Sequence, residues 1–309
     1  MCSYFINCTF AKILWMKIKW TDWLLFAGLC LIWGSSFILM KKGMFNGAGQ
    51  PTLSAYHVAA LRMLSAGIIL CPLLFREIKN INIKTIGIIF LTAVCGSFIP
   101  AFLFCIAETK INSAFAGTLN SLTPLFVIIA GASLFNNKTT VRKMTGVVIG
   151  LTGSILLFLS QGNRALDYNG YALFILLATI LYGINVNIVQ HHLKGVSSIK
   201  IAVIGFSALM PFSLTVLYFS GYFTLPLLQK DYLISTLYSS ILGIGGTAIA
   251  TIIFYVLVKR TSALFSSLVT YGIPFVAIGW GLLAGEDVTI MELLSLAVIL
   301  SGVYITRRQ

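Results

Sequence analysis

The chain has 309 residues, 58% of them apolar and only 9% charged, and its mean hydropathy is +0.97. A soluble domain carries roughly 25% charged residues, so this composition excludes a soluble globular protein and places most of the chain in lipid. The net charge of +13 is a question of where the bases sit, because a nucleic-acid-binding surface would cluster them on one soluble face.

Residues 1–22 read as a weakly polar cytoplasmic lead-in. Within it Met16-Lys17-Ile18-Lys19-Trp20-Thr21-Asp22 begins again like an inner-membrane N-terminus, so translation is expected from Met16. Ten apolar segments follow, at 23–42, 54–75, 85–106, 112–135, 144–160, 168–190, 199–220, 233–256, 263–284 and 289–306. Each is long enough, at about 18–24 residues, to cross a hydrocarbon core about 30 Å thick. They lack the alternation of barrel strands and must satisfy their own backbone hydrogen bonds, which makes them helices. The first is too long for a signal-peptide core and has no small-residue cleavage site after it, so it is read as retained.

With the N-terminus inside, 15 of the 21 Lys and Arg residues fall in inner breaks, while Lys41, Lys42, Lys110, Arg164 and Lys230 fall outside with most of the acids. This asymmetry puts both termini in the cytoplasm and accounts for the basic excess without a nucleic-acid partner. The six cysteines have no metal-ligand spacing and read as small packing residues.

The fourth and ninth segments say nearly the same thing. Lys110-Ile111-Asn112-Ser113-Ala114-Phe115-Ala116 leads to Pro124, and Arg260-Thr261-Ser262-Ala263-Leu264-Phe265-Ser266 leads to Pro274; each proline lies fourteen residues after its base. Trp33-Gly34 and Tyr182-Gly183, and Gly153 and Gly302, recur at the same offset of 149–150. The chain therefore reads as two repeats, 23–160 and 168–306, joined by an outer linker at 161–167 and closed by a tail at 307–309. Five helices per repeat is an odd number, so the second repeat is inverted relative to the first. Inverted halves with helix-breaking prolines point to a secondary transporter with its site between them.

No catalytic constellation is visible: the histidines are His57, His191 and His192, and no buried nucleophile, carboxylate pair or metal cluster accompanies them. The chain is therefore read as a non-enzyme without cofactors. Candidates for the cavity are polar or aromatic residues inside apolar segments: Trp33, Ser36, Arg62, Pro100, Phe104, Asn120, Tyr182, Asn185, Thr247, Thr270 and Tyr271, with Thr251 and Tyr255 behind them. Arg62 reads either as a brace on broken-helix carbonyls or as a substrate contact. Each proline removes a backbone donor and frees the carbonyl four residues back, on Asn120 and Thr270, so Pro124 and Pro274 read either as gating hinges or as structural kinks mended by Ser121, Thr123 or Tyr271. Tyr182 and Asn185 share a helix face, as Trp33 and Ser36 do. The Gly243-Ile244-Gly245-Gly246 run reads as a site of close helix approach.

Trp33-Gly34-Ser35-Ser36-Phe37, Arg62 within Ala-Leu-Arg-Met-Leu, the Pro124 and Pro274 segments, Gly285-Glu286 and Gly302 together resemble the drug/metabolite transporter superfamily, in its ten-helix EamA-like branch. The resemblance implies a polytopic inner-membrane carrier that exports a small metabolite, amino acid or drug-like compound by alternating access. The alternatives are a passive channel and a non-transporting sensor or scaffold. No Asp or Glu lies midway along any segment, which leaves facilitated efflux or proton coupling through His57 or Glu108. Monomer and homodimer both remain open.

Overall fold

The computed structural model describes residues 19–137, 140–159, 165–285 and 289–307; Met16, Arg164, Glu286 and Asp287 lie outside them. Ten helical rods run through these residues. They are α1 Trp20–Met44, α2 Ala55–Glu77, α3 Ile83–Glu108, α4 Ser113–Leu134, α5 Val141–Leu159, α6 Ala165–His192, α7 Ser198–Phe219, α8 Lys230–Arg260, α9 Ala263–Leu283 and α10 Ile290–Arg307. Eight of the ten contain spans long and apolar enough to cross a membrane; α5 and α10 carry shorter apolar stretches. Among the described residues the extended backbone is limited to one isolated bridge, Phe45 with Pro51. Large apolar side chains such as Leu31, Ile68, Phe212 and Leu282 are exposed on the outside of the bundle, as a lipid-facing surface requires. The chain is a multi-pass membrane protein.

Local chemistry explains the helix starts. Asn112 caps α4 by accepting from the Phe115 N–H at 2.7 Å, and Ser262 caps α9 by accepting from the Phe265 N–H at 3.1 Å. These caps are the small polar turns of the duplicated motif, 150 residues apart. Thr289 and Glu292 form a reciprocal capping box at the head of α10.

Helix pairings also come in matched sets. α1 lies against α9 as α6 lies against α4, α2 against α8 as α7 against α3, while α2 pairs with α7 and α5 with α10. The match extends to atoms. A Cβ on Gly34 would lie 2.4 Å from Val276, and one on Gly183 would lie 2.7 Å from Phe126, the counterpart of Val276 150 residues earlier. Gly153 and Gly302 each serve the α5–α10 crossing, where Cβ atoms would come within 2.8 Å of the Ile299 backbone and 2.5 Å of the Gly150 backbone. Such glycines let helices approach closely where dispersion, not water exclusion, drives association.

The helix breaks fall before the prolines and not at them, and one helix starts early. The segments around the prolines are broken rods: α4 is split at Ser121–Leu122 and α9 at Leu268. Pro124 sits at the second position of the helical piece Thr123–Leu134, where no backbone donor is needed, so it starts a helix instead of kinking one. Pro274 lies inside the piece Val269–Leu283, six residues beyond the break. Finally, α6 starts at Ala165, within the stretch read as a linker.

Candidate functional site

Breaks in α4 and α9 are one source of irregular backbone at the bundle centre; a second is a pair of π-helical turns. Val94–Phe98 in α3 and Leu242–Ile249 in α8 are wound more widely than an α-helix, the single-turn irregularity often found at functional sites. In the α8 turn the Thr247 hydroxyl donates to the Leu242 carbonyl five residues back at 3.3 Å. Gly96 and Gly246 lie in these turns. A Cβ on Gly96 would be 2.3 Å from the Asn185 amide, and one on Gly246 would be 2.9 Å from the Ser36 hydroxyl.

Between these elements lies a cavity with about 90 Å³ open to the centre of a water molecule, room for several waters or a small ligand group. It is built in equivalents from the two halves. Trp33 and Tyr182, Ser36 and Asn185, Gly96 and Gly246, Ser97 and Thr247, Phe104 and Phe254, and Asn120 and Thr270 all line it, each pair 149 or 150 residues apart. Aromatic contacts follow the same rule: Trp33 packs on Phe254 at 5.1 Å between centroids, and Tyr182 stacks on Phe104 at 6.1 Å and 22°. Offset and tilted rings of this kind form rigid apolar walls. The indole N–H of Trp33 donates to the Gly246 carbonyl at 3.0 Å, tying the wall to the α8 turn.

Polar groups are placed by the broken backbone. The Thr123 hydroxyl donates to the Asn120 carbonyl at 2.8 Å, so the carbonyl expected to be freed near Pro124 is satisfied locally, and the Thr270 hydroxyl donates to the Ser267 carbonyl at 2.8 Å. Arg62 Nε donates to the Thr247 hydroxyl at 2.6 Å, and one terminal nitrogen faces the Met40 sulfur at 3.9 Å. Oδ1 of Asn185 is buried without a hydrogen-bond partner.

The structure brings nine of the sequence candidates to this cavity: Trp33, Ser36, Arg62, Phe104, Asn120, Tyr182, Asn185, Thr247 and Thr270. Thr251 and Tyr255 line it as well. Pro100 and Tyr271 do not. Pro100 is buried in packing at the start of the helical piece Ile99–Glu108, and the Tyr271 hydroxyl is buried without a partner away from the cavity. The hinge prolines are off the wall too, with Pro274 packed beside Gly117 where α9 crosses α4. Asn187, next to Asn185, is structural: its amide donates to the carbonyls of Val127 and Gly183, both at 2.9 Å. His57 is engaged in the α2 cap with Ser54 and contacts the Ser220 carbonyl at 3.0 Å. Cavity residues missed in the sequence include Gly96, Ser97 and Phe254. The repeat offset, applied to Gly246, Thr247 and Phe104, finds all three.

Comparison with known proteins agrees with this architecture. The profile of the EamA-like transporter family matches the chain twice, over residues 20–159 and 169–308. The chain belongs to the EamA-like transporter family. Its two matches are the two repeats, and membership makes the protein a membrane transporter of small molecules. An uncharacterized transporter of Archaeoglobus fulgidus is 24% identical over 93% of this chain and 99% of its own length. The uncharacterized inner membrane transporter YedA of Escherichia coli K12 is 28% identical over 89% and 87%, and Protein PagO of Salmonella typhimurium is 21% identical over 92% and 91%. A solved crystal structure shares the fold at a TM-score of 0.64, with 17% identity over 93% of this chain and 98% of that one.

Proposed function

We propose that this family member is an inner-membrane carrier that exports a small metabolite, amino acid or drug-like compound by alternating access through the central cavity. The observation that carries the reading is the construction of one polar and aromatic cavity from equivalent residues of both repeats, at broken or widened turns of α3, α4, α8 and α9. In this reading all ten rods cross the membrane, both termini are cytoplasmic, and the repeats are inverted because each contributes five helices. Rocking of one half against the other then exposes the cavity alternately to each side. Trp33, Tyr182, Asn120, Asn185 and Thr270 contact substrate, and the broken rods α4 and α9 carry the flexing backbone. Inner-membrane placement is supported by the naming of YedA as an inner membrane transporter.

The test is to compare the compounds released by cells producing the parent protein with those producing Asn185→Ala or Tyr182→Ala at equal abundance. A compound enriched outside the cell only with the parent is then followed by counterflow in proteoliposomes, where preloaded unlabelled compound should accelerate entry of label. Identical release profiles would contradict export. Flux without counterflow would instead indicate a channel.

A further inference from the structure

Among the described residues Arg62 is the single charged side chain that lines the cavity, and no carboxylate lines the wall with it. Its protein partners are a neutral hydroxyl on Thr247 and a thioether sulfur on Met40. A guanidinium has five N–H donors, so these two neutral contacts supply no opposite charge and leave several donors unused. A cation at membrane depth is costly and ordinarily pairs with an anion or faces a wet cavity.

Repeat equivalence separates the two roles open to it. α8 approaches α2 closely at Gly243, where a Cβ would lie 2.4 Å from the Arg62 carbonyl; at the matching crossing of α7 with α3, a Cβ on Gly205 would lie 2.9 Å from Ala93, the counterpart of Gly243. No described residue of α7 lines the cavity, so that matching crossing packs without placing a guanidinium in the wall. Thr247 likewise corresponds to Ser97, which lines the cavity without an arginine beside it. The architecture does not need the charge in order to close; one half has added it to the shared wall.

Resting on the carrier reading above, we propose that the substrate is a small organic monoanion, a carboxylate on a planar apolar body, with Arg62 as its counter-charge and the Trp33–Phe254 and Tyr182–Phe104 walls holding the ring. The guanidinium and the bound carboxylate cross as a neutral pair, and the empty carrier returns carrying one positive charge. Each export cycle therefore moves one negative charge outward, which an inside-negative potential favours. A potential of 100 mV acting on one charge corresponds to about a 50-fold ratio of outside to inside concentration at equilibrium. Efflux of this kind needs no proton-carrying carboxylate in the cavity, in keeping with the absence of one from its wall.

Three probes with one skeleton and different charge test this on the purified full-length chain: 3-phenylpropionate, 3-phenylpropionamide and 3-phenylpropylammonium. Affinities are read from tryptophan fluorescence and thermal stabilisation, for the parent, Arg62→Lys and Arg62→Gln. The expected result is preference for the anion over the amide in the parent, retained in Arg62→Lys and reduced at least tenfold in Arg62→Gln. A merely structural loss would weaken anion and amide together and leave the ratio unchanged. In proteoliposomes an inside-positive potassium diffusion potential should accelerate uptake of labelled 3-phenylpropionate above protein-free controls. Tighter binding of the ammonium or the amide, an unchanged anion-to-amide ratio in Arg62→Gln, or no binding of any probe overturns the proposal; if the ammonium or amide then shows counterflow, the carrier reading survives it. Arg62-dependent anion binding without potential-driven flux or counterflow upholds the charge preference and overturns the carrier reading.

Discussion

Replacing Gly302 by Ala tests the repeat-paired packing at the α5–α10 crossing. The new Cβ would lie 2.5 Å from the Gly150 nitrogen, 2.6 Å from the Gly146 carbonyl oxygen and 2.9 Å from the Gly150 Cα. All three are backbone atoms, so no rotamer change relieves the contact. Restoring an ordinary 3.4 Å separation moves the helices apart by 0.9 Å (3.4 − 2.5). Overpacking of this kind costs about 1–3 kcal/mol, against which alanine recovers up to about 1 kcal/mol of helix propensity. Gly28→Ala in α1 removes that second contribution from the comparison, because its Cβ would meet nothing within 4 Å. The difference between the two variants should therefore be about 1–3 kcal/mol, or roughly 1.5–4.5 °C in unfolding midpoint for a chain of this size. Thermal unfolding of the purified proteins in one detergent measures it. Gly153→Ala, the repeat equivalent, should fall with Gly302→Ala, since its Cβ would lie 2.8 Å from the Ile299 nitrogen. Equal midpoints for Gly28→Ala and Gly302→Ala would refute the close crossing.

Other variants divide bracing from cavity residues. Asn187→Leu removes donors to the Val127 and Gly183 carbonyls and should destabilise by about 0.5–2 kcal/mol, read in the same thermal assay. Asn185→Leu discards an Oδ1 with no partner and a single contact with the Tyr255 hydroxyl, so it should destabilise less than Asn187→Leu while abolishing release of the exported compound. Gly96→Ala forces the Asn185 amide aside, since its Cβ would lie 2.3 Å from Nδ2; transport should fall at least tenfold with little loss of stability, as a flexible side chain absorbs the clash. Asp22→Asn breaks the ion pair with Arg260 at 2.9 Å. Because Arg260 is 39% exposed and screened by solvent, that loss should be about 1 kcal/mol or less, and smaller still in high salt.

Much of this arrangement is legible in the amino acids because the chain states it twice. The offset that aligns Trp33 with Tyr182 and Asn120 with Thr270 also pairs the walls of the cavity, and a buried Arg62 or Asn185 is too costly in lipid to lack a polar setting. The π turns were not legible. Val94–Phe98 and Leu242–Ile249 are largely apolar and glycine-containing like any close-packed membrane helix, and after the first of them Ser97 lines the cavity while Pro100 does not. At Pro124 the mended reading of the break holds: proline marks a weak point, and the break falls where Ser121 and Thr123 satisfy carbonyls of the preceding turn. Asn187 and Asn185 look alike in sequence and differ only because the carbonyls of Val127 and Gly183 lie within reach of one of them.

Access to Asn120 from each side of the membrane tests alternating exposure of the cavity most directly. In a cysteine-free background, Asn120→Cys and Ser213→Cys would be treated with a membrane-impermeant thiol reagent in right-side-out and inverted vesicles. Ser213 is fully buried on α7 and does not line the cavity. Alternating access requires labelling of Asn120→Cys from both sides and of Ser213→Cys from neither; labelling of Asn120→Cys from one side only, or from neither, would contradict it.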